Sequence, residues 1–137
     1  LIEQFKKRIS EKKLPYQPAW CSNMAESSDE MITDLVKILS GSDHPTAVFA
    51  VSDIAVLNTL KVARQLHLQI PEDLAVIGYA DNYIYQYLDP PISAVFNGAG
   101  KLGSIAAQIL LKKLMDPERY TEQILVSPEL VSRQSVA

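Results

Sequence analysis

Polar residues able to recognise or transform a small molecule cluster just after apolar runs. Ser52-Asp53 follow "TAVFAV" (46–51), Ala80-Asp81-Asn82 come directly after "VIGY", and Asn97 follows "ISAVF" (92–96). At such positions a carboxylate could accept from a hydroxyl, act as a base or take up a phosphoryl group, and an amide or hydroxyl could both donate and accept. Each residue also has a plain structural use. Ser52 or Asp53 can cap a helix, worth about 1 kcal/mol, and Asp81 or Asn82 can close a turn. Trp20 could stack on a sugar or base, or simply fill a core.

His44 and His67 have no second ligand at metal spacing and no nucleophile arranged with them. Cys21 stands alone, so an intrachain disulfide or multi-cysteine metal site is excluded, which fits a reducing cytoplasm. No GxSxG, HExxH, P-loop or GxGxxG occurs, and the glycines of "NGAGKLG" lack the dinucleotide spacing. The sequence therefore carries no positive sign of catalysis, a metal or a cofactor.

The elements that would position these residues follow from periodicity. Ile2, Phe5 and Ile9 predict an amphipathic helix over 1–13, stopped by Pro15. "YQPAWCSN" is rich in turn formers, with a short strand at 16–21 interrupted by Pro18 as one reading. Ser27 and Glu30 form a capping-box pattern ahead of Met31, Ile32, Leu35, Val36 and Leu39, and Gly41 is placed to end that helix left-handed. "TAVFAV" and "LAVIG" read as strands covered on both faces, joined by a helix after Ser52 in a right-handed crossover. A helical turn at 83–88, a third strand at 92–96, a helix over 101–115 ending at Asp116-Pro117, and strand-like "QILV" and "ELVSR" complete the chain. The expected fold is α/β, a mostly parallel sheet with helices on both faces, and ligands of such sheets bind beyond the carboxyl ends of the strands.

The 137 residues amount to about one domain or part of one, and Leu1 in place of Met suggests a piece of a longer protein. With 47% hydrophobic and 21% charged residues the composition is that of a globular protein. A net charge of -3 argues against this chain wrapping nucleic acid by itself. Lys6, Lys7, Arg8, Lys12 and Lys13 read as a solvated face of the first helix. No apolar stretch is long enough to span a bilayer, so no membrane partner is expected.

In order and spacing, "HPTAVFAVSDIAVLNTLKVARQLHLQIPEDLAVIGYADN", "LDPPISAVF", "KLGSIAAQILLKKL" and "ELVSRQSVA" resemble the effector-binding domain of lactose-repressor (LacI/GalR) family transcription regulators, closely over 44–137 and loosely before. The resemblance implies the C-terminal subdomain of a type I periplasmic-binding-protein fold. Residues 1–97 would form that subdomain, 98–122 a crossing segment and a helix of the other subdomain, and 123–137 a return strand and tail. It further implies a small-molecule effector in the cleft between subdomains, and operator DNA read through an N-terminal helix-turn-helix absent from this chain. The implied homodimer pairs through Leu57, Leu60, Lys61, Tyr85, Tyr87 and Leu88.

The ligand-binding positions implied are Trp20, Ser52, Asp53, Ala80, Asp81 and Asn97, and several depart from the family pattern. Ala80 stands where an effector-binding Asp is common, Ser52 where Asn is frequent, and Asn97-Gly98 where Gln-Pro is usual. A charge-assisted bond contributes about 1.5 to 3 kcal/mol, so an effector is expected to be held in a different way here. The function implied is the effector-binding and dimerisation portion of a cytoplasmic, non-enzymatic repressor that senses a sugar-like or nucleoside-like metabolite. A transporter's solute-binding protein shares the fold and is the alternative. A receiver or hydrolase using Asp53 or Asp81 is a third class.

Overall fold

A computed structural model of the chain describes residues 2–22, 28–79, 82–116, 118 and 123–137. The helices are α1 (Ile2–Glu11), α2 (Ser28–Leu39), α3 (Asp53–Gln65) and α4 (Ala99–Met115), and the strands β1 (Ala47–Ala50), β2 (Ala75–Tyr79), β3 (Ser93–Phe96) and β4 (Glu129–Val131). Short 3-10 turns occupy Pro18–Trp20 and Tyr83–Tyr87. The strands form one sheet in the order β1-β2-β3-β4. The first three run parallel and β4 is antiparallel to β3, with Val48 beside Val76, Gly78 beside Ala94 and Val95 beside Leu130.

Alternation along the strands decides which helix covers which face. Phe49 and Ile77 share one face, where Phe5 of α1 stacks on Phe49 at 5.8 Å and Tyr79 meets it edge-on at 6.3 Å. Val76 and Gly78 are buried on the other face, against Val56 and Val62 of α3 and, behind them, Met31, Leu35 and Leu39 of α2. Burying an aliphatic side chain of this size contributes about 1.5 to 3 kcal/mol, so this α2–α3 face is the main source of stability.

Sheet closure depends on one serine. Ser135 is completely buried beside β2 and β3: its Oγ accepts from the Ser93 N–H at 2.8 Å and donates to the Val76 carbonyl. Its backbone carbonyl accepts from the Val76 N–H at 2.9 Å, and its N–H donates to the Pro91 carbonyl at 3.1 Å. Nearby, Arg133 donates to the Ile92 carbonyl and lies over the Phe96 ring at 5.5 Å, while its N–H donates to Ser93 Oγ at 2.8 Å.

Several expectations are corrected. The segment 16–21, left open between turn and strand, contains a 3-10 turn at Pro18–Trp20, where Pro18 supplies no donor and Trp20 N–H bonds back to the Gln17 carbonyl at 3.0 Å. α2 ends at Leu39, and Gly98, not Gly41, is the left-handed glycine, at the N-cap of α4. His67 is left-handed too (φ 58°) and closes α3, with Leu68 N–H bonded to the Ala63 carbonyl at 2.9 Å. "QILV" forms no strand, and Leu125 stands exposed. The capping residue expected at Ser27 lies outside the described residues. α4 is formed, yet none of its residues is buried, and Leu110 and Leu114 remain 59% and 69% exposed.

Candidate ligand site at the strand tips

Because β1, β2 and β3 are adjacent and parallel, their carboxyl ends lie along one edge of the sheet. β1 ends at Ala50 and delivers Ser52 and Asp53, β2 ends at Tyr79 and leads to Asn82, and β3 ends at Phe96 and delivers Asn97. The structure therefore brings Ser52, Asp53, Asn82 and Asn97 to the same edge, each only partly buried. Ala80 and Asp81 lie outside the described residues.

Local chemistry fixes each side chain. Ser52 is extended and its Oγ accepts from Ala55 N–H at 3.1 Å, so it is the helix cap, with its hydroxyl proton still available to donate. Asp53, in the first turn of α3, accepts from Tyr85 Oη at 2.8 Å and from Asn82 Nδ2 at 3.0 Å. Asn82 caps the 3-10 turn, its Oδ1 accepting from Ile84 N–H at 3.1 Å. Burial first, and then the bond to the Asp53 carboxylate, raise the Tyr85 phenol well above its ordinary value near 10, so it is a donor at neutral pH. Asn82 is one of the polar strand-tip residues picked out in the sequence, whereas Tyr85 is expected at the dimer contact and not at this edge.

Trp20 is placed differently. Its turn is anchored by Gln17 Nε2 donating to Asp43 at 2.6 Å, in the loop that enters β1 from the opposite edge of the sheet. Among the described residues no group of three or more His, Cys, Asp or Glu could hold a metal ion. His44 bonds only its neighbouring backbone, Nδ1 lying 3.1 Å from the Pro45 carbonyl oxygen.

The expected pairing residues divide. Leu57, Leu60, Lys61 and Leu88 line an open groove of about 450 Å³, shared with Ile70 and Pro90, and Tyr87 stands 73% exposed. Tyr85 does not belong with them, since it is completely buried within the chain, turned inward by its bond to Asp53.

The model of the periplasmic binding protein-like domain matches residues 1–136. The chain belongs to that family. Within it, the relatives are LacI-family regulators. The "HTH-type transcriptional repressor PurR" of Vibrio vulnificus is 33% identical over 98% of this chain and 40% of its own length. The "Ribose operon repressor" of Haemophilus influenzae is 29% identical over 98% of this chain and 41% of its own. Among solved structures, a LacI-family regulatory protein from Chloroflexus aggregans superposes with a TM-score of 0.86 at 25% identity, covering 99% of this chain and 49% of that one. A LacI-family transcriptional regulator from Bifidobacterium animalis subsp. lactis gives 0.84 at 28% identity, over 97% and 48%. The chain thus spans less than half the length of the relatives it matches. The fold, an α/β sheet of three parallel strands and one antiparallel strand, is that of the LacI-family effector domain. No described helix is long and apolar enough to cross a membrane.

Proposed function

We propose that this chain is the effector-binding and dimerisation portion of a LacI-family transcription regulator that senses a small sugar-like or nucleoside-like metabolite and performs no catalysis. The observation that carries this reading is the convergence of Ser52, Asn82 and Asn97 on one sheet edge in a LacI-family effector domain. These groups donate and accept without a nucleophile–base pair among them, which suits recognition of hydroxyls or ring nitrogens. Relatives of the same fold include a "transcriptional regulator CelR-cellobiose complex" and a Lactobacillus casei LacI-family regulator "with bound sucrose".

In this reading residues 1–97 form one wall of the cleft, α4 packs on the other subdomain, and 123–137 return to the sheet. A second copy covers the groove of Leu57, Leu60, Lys61 and Leu88, and Tyr87 beside it. Operator DNA is bound by a helix-turn-helix outside this chain, in the cytoplasm. The test is a gel-shift with the full-length protein against its own upstream DNA, with a panel of mono- and disaccharides, nucleobases and nucleosides. One member of the panel is expected to change operator affinity at least several-fold. DNA binding unaffected by every member would remove the sensing role, and no DNA binding at all would favour a transporter's solute-binding protein.

A further inference from the structure

On the strand-tip edge, both carboxylate oxygens of Asp53 are engaged within the chain. One carboxylate oxygen accepts from Tyr85 and the other from Asn82. Tyr85 reaches it by lying across β2 at Gly78, where an added Cβ would come within 2.6 Å of its Cε2 and 3.2 Å of its Cζ. Asn82 in turn holds Ile84 N–H through Oδ1 and Tyr85 N–H through its backbone carbonyl at 3.4 Å. The Tyr85 carbonyl then accepts from Ile92 N–H at 2.9 Å, directly before β3. A single carboxylate on α3 is thus bonded to both ends of the segment 82–85, and that segment to the start of β3.

We infer that Asp53 is a positioning residue for the strand-tip wall, fixing the segment 82–85 through Tyr85 and Asn82. The inference rests on reading the strand tips as the effector wall. Within that reading it assigns Asp53 a role exercised through other residues. Both bonds are charge-assisted and sit in a partly buried site, where an ionised acceptor is roughly twice as effective as a neutral one. Tyr85 also carries the anchor toward the exposed aromatics Tyr83 and Tyr87 on the outer side of the same turn.

The two bonds can be tested separately because they need different acceptors. Asp53→Asn keeps an oxygen for the Tyr85 hydroxyl but turns an amide toward the amide of Asn82. Asn82→Asp sets two carboxylates against one another across a 3.0 Å contact. Combined, the two substitutions restore a donor facing an acceptor, with the pair reversed. Tyr85 keeps an acceptor at position 53, and Ile84 N–H keeps one at position 82.

Amide hydrogen exchange would be followed at Ile84, Tyr85 and Ile92 in the unliganded full-length protein, with Val62 and Ala63 of α3 as internal references. Asp53→Asn, Asn82→Asp and Tyr85→Phe, which leaves the ring in place, are each expected to speed exchange at the three amides on the order of ten-fold, the scale of a lost charge-assisted bond. The combined Asp53→Asn/Asn82→Asp protein is expected to recover most of that protection. Unchanged exchange in Tyr85→Phe and Asp53→Asn, or a combined protein no better protected than either single variant, would overturn the inference. Because no effector is present in the measurement, failure of the sensing role in the gel-shift would leave this outcome readable on its own.

Discussion

Ser135→Ala removes one hydroxyl from a site with no access to water, and its cost can be worked out from the bonds it breaks. The backbone bonds of residue 135 to Val76 and Pro91 survive, since they do not involve the side chain. What is lost is the acceptor for Ser93 N–H and the donor to the Val76 carbonyl, at a residue with no exposed surface. Leaving a buried polar group without its partner costs about 1 to 3 kcal/mol, so losing both bonds sums to roughly 2 to 6 kcal/mol. That is a large fraction of the ~5 to 15 kcal/mol that separates folded from unfolded chains. Urea unfolding is the assay: the midpoint should fall sharply while the slope stays constant, because the surface exposed on unfolding does not change. Ser132→Ala, at an exposed position two residues from β4's partner-facing Leu130, is the control and should change stability by less than about 0.5 kcal/mol. A loss below about 1 kcal/mol in Ser135→Ala would refute the view that this hydroxyl closes the sheet.

Gly78→Ala should destabilise by about 1 to 3 kcal/mol through its clash with the Tyr85 ring, and Tyr85→Leu in the same chain should recover part of that loss in the same unfolding assay. Tyr85 titrates above its ordinary value, so its buried phenol contributes full stability below pH ~10 and loses that contribution as pH rises past 10 toward the folded-state value. The stability difference between the natural protein and Tyr85→Phe should accordingly narrow above pH ~10, by up to about 1.4 kcal/mol per pH unit, and a difference constant to pH 11 would contradict it. Leu57→Asp places a charge on the rim of the α3 groove, and sedimentation should show the proposed dimer weakened by a hundred-fold or more, as expected for an unpaired charge in an apolar contact; unchanged association would overturn the assignment of this groove as the interface.

Much of this architecture is legible in the sequence because the signals are local. The apolar runs at 46–51, 74–78 and 92–96 give strands within a residue or two, since a strand covered on both faces needs no alternation to be recognised. Ser52 is legible as a cap for the same reason: its partner, Ala55, is three residues away. The anchor of Asp53 is not legible in that way, because Tyr85 lies 32 residues further on and nothing in either neighbourhood names the other. A weaker signal does exist. A glycine within a buried strand marks a close approach, and Gly78 is the position that Tyr85 crosses. The expectation of Tyr85 at the dimer contact comes from the family resemblance of the segment before Pro90, which does not distinguish the buried Tyr85 from its exposed neighbours Tyr83 and Tyr87. The tail is similar: "ELVSRQSVA" supports the family resemblance, but the function of its last serine appears only when β2 and β3 are side by side.

The distribution of burial along the strand-tip edge separates residues that hold the wall from residues able to face a ligand. Tyr85 is completely enclosed and bonds a group far away in sequence, so changing it should be felt first as stability. Ser52 is only partly covered, and its hydroxyl can exchange water for an effector at small cost. Asp53 sits between the two classes, partly covered yet bonded on both oxygens. A carboxylate in that situation is more useful held than offered, because an effector hydroxyl approaching it would have to replace a charge-assisted bond and would gain little net free energy. In the proposed reading, recognition on this edge falls to neutral donors and acceptors, and the effector that suits them carries both kinds of group on a compact ring.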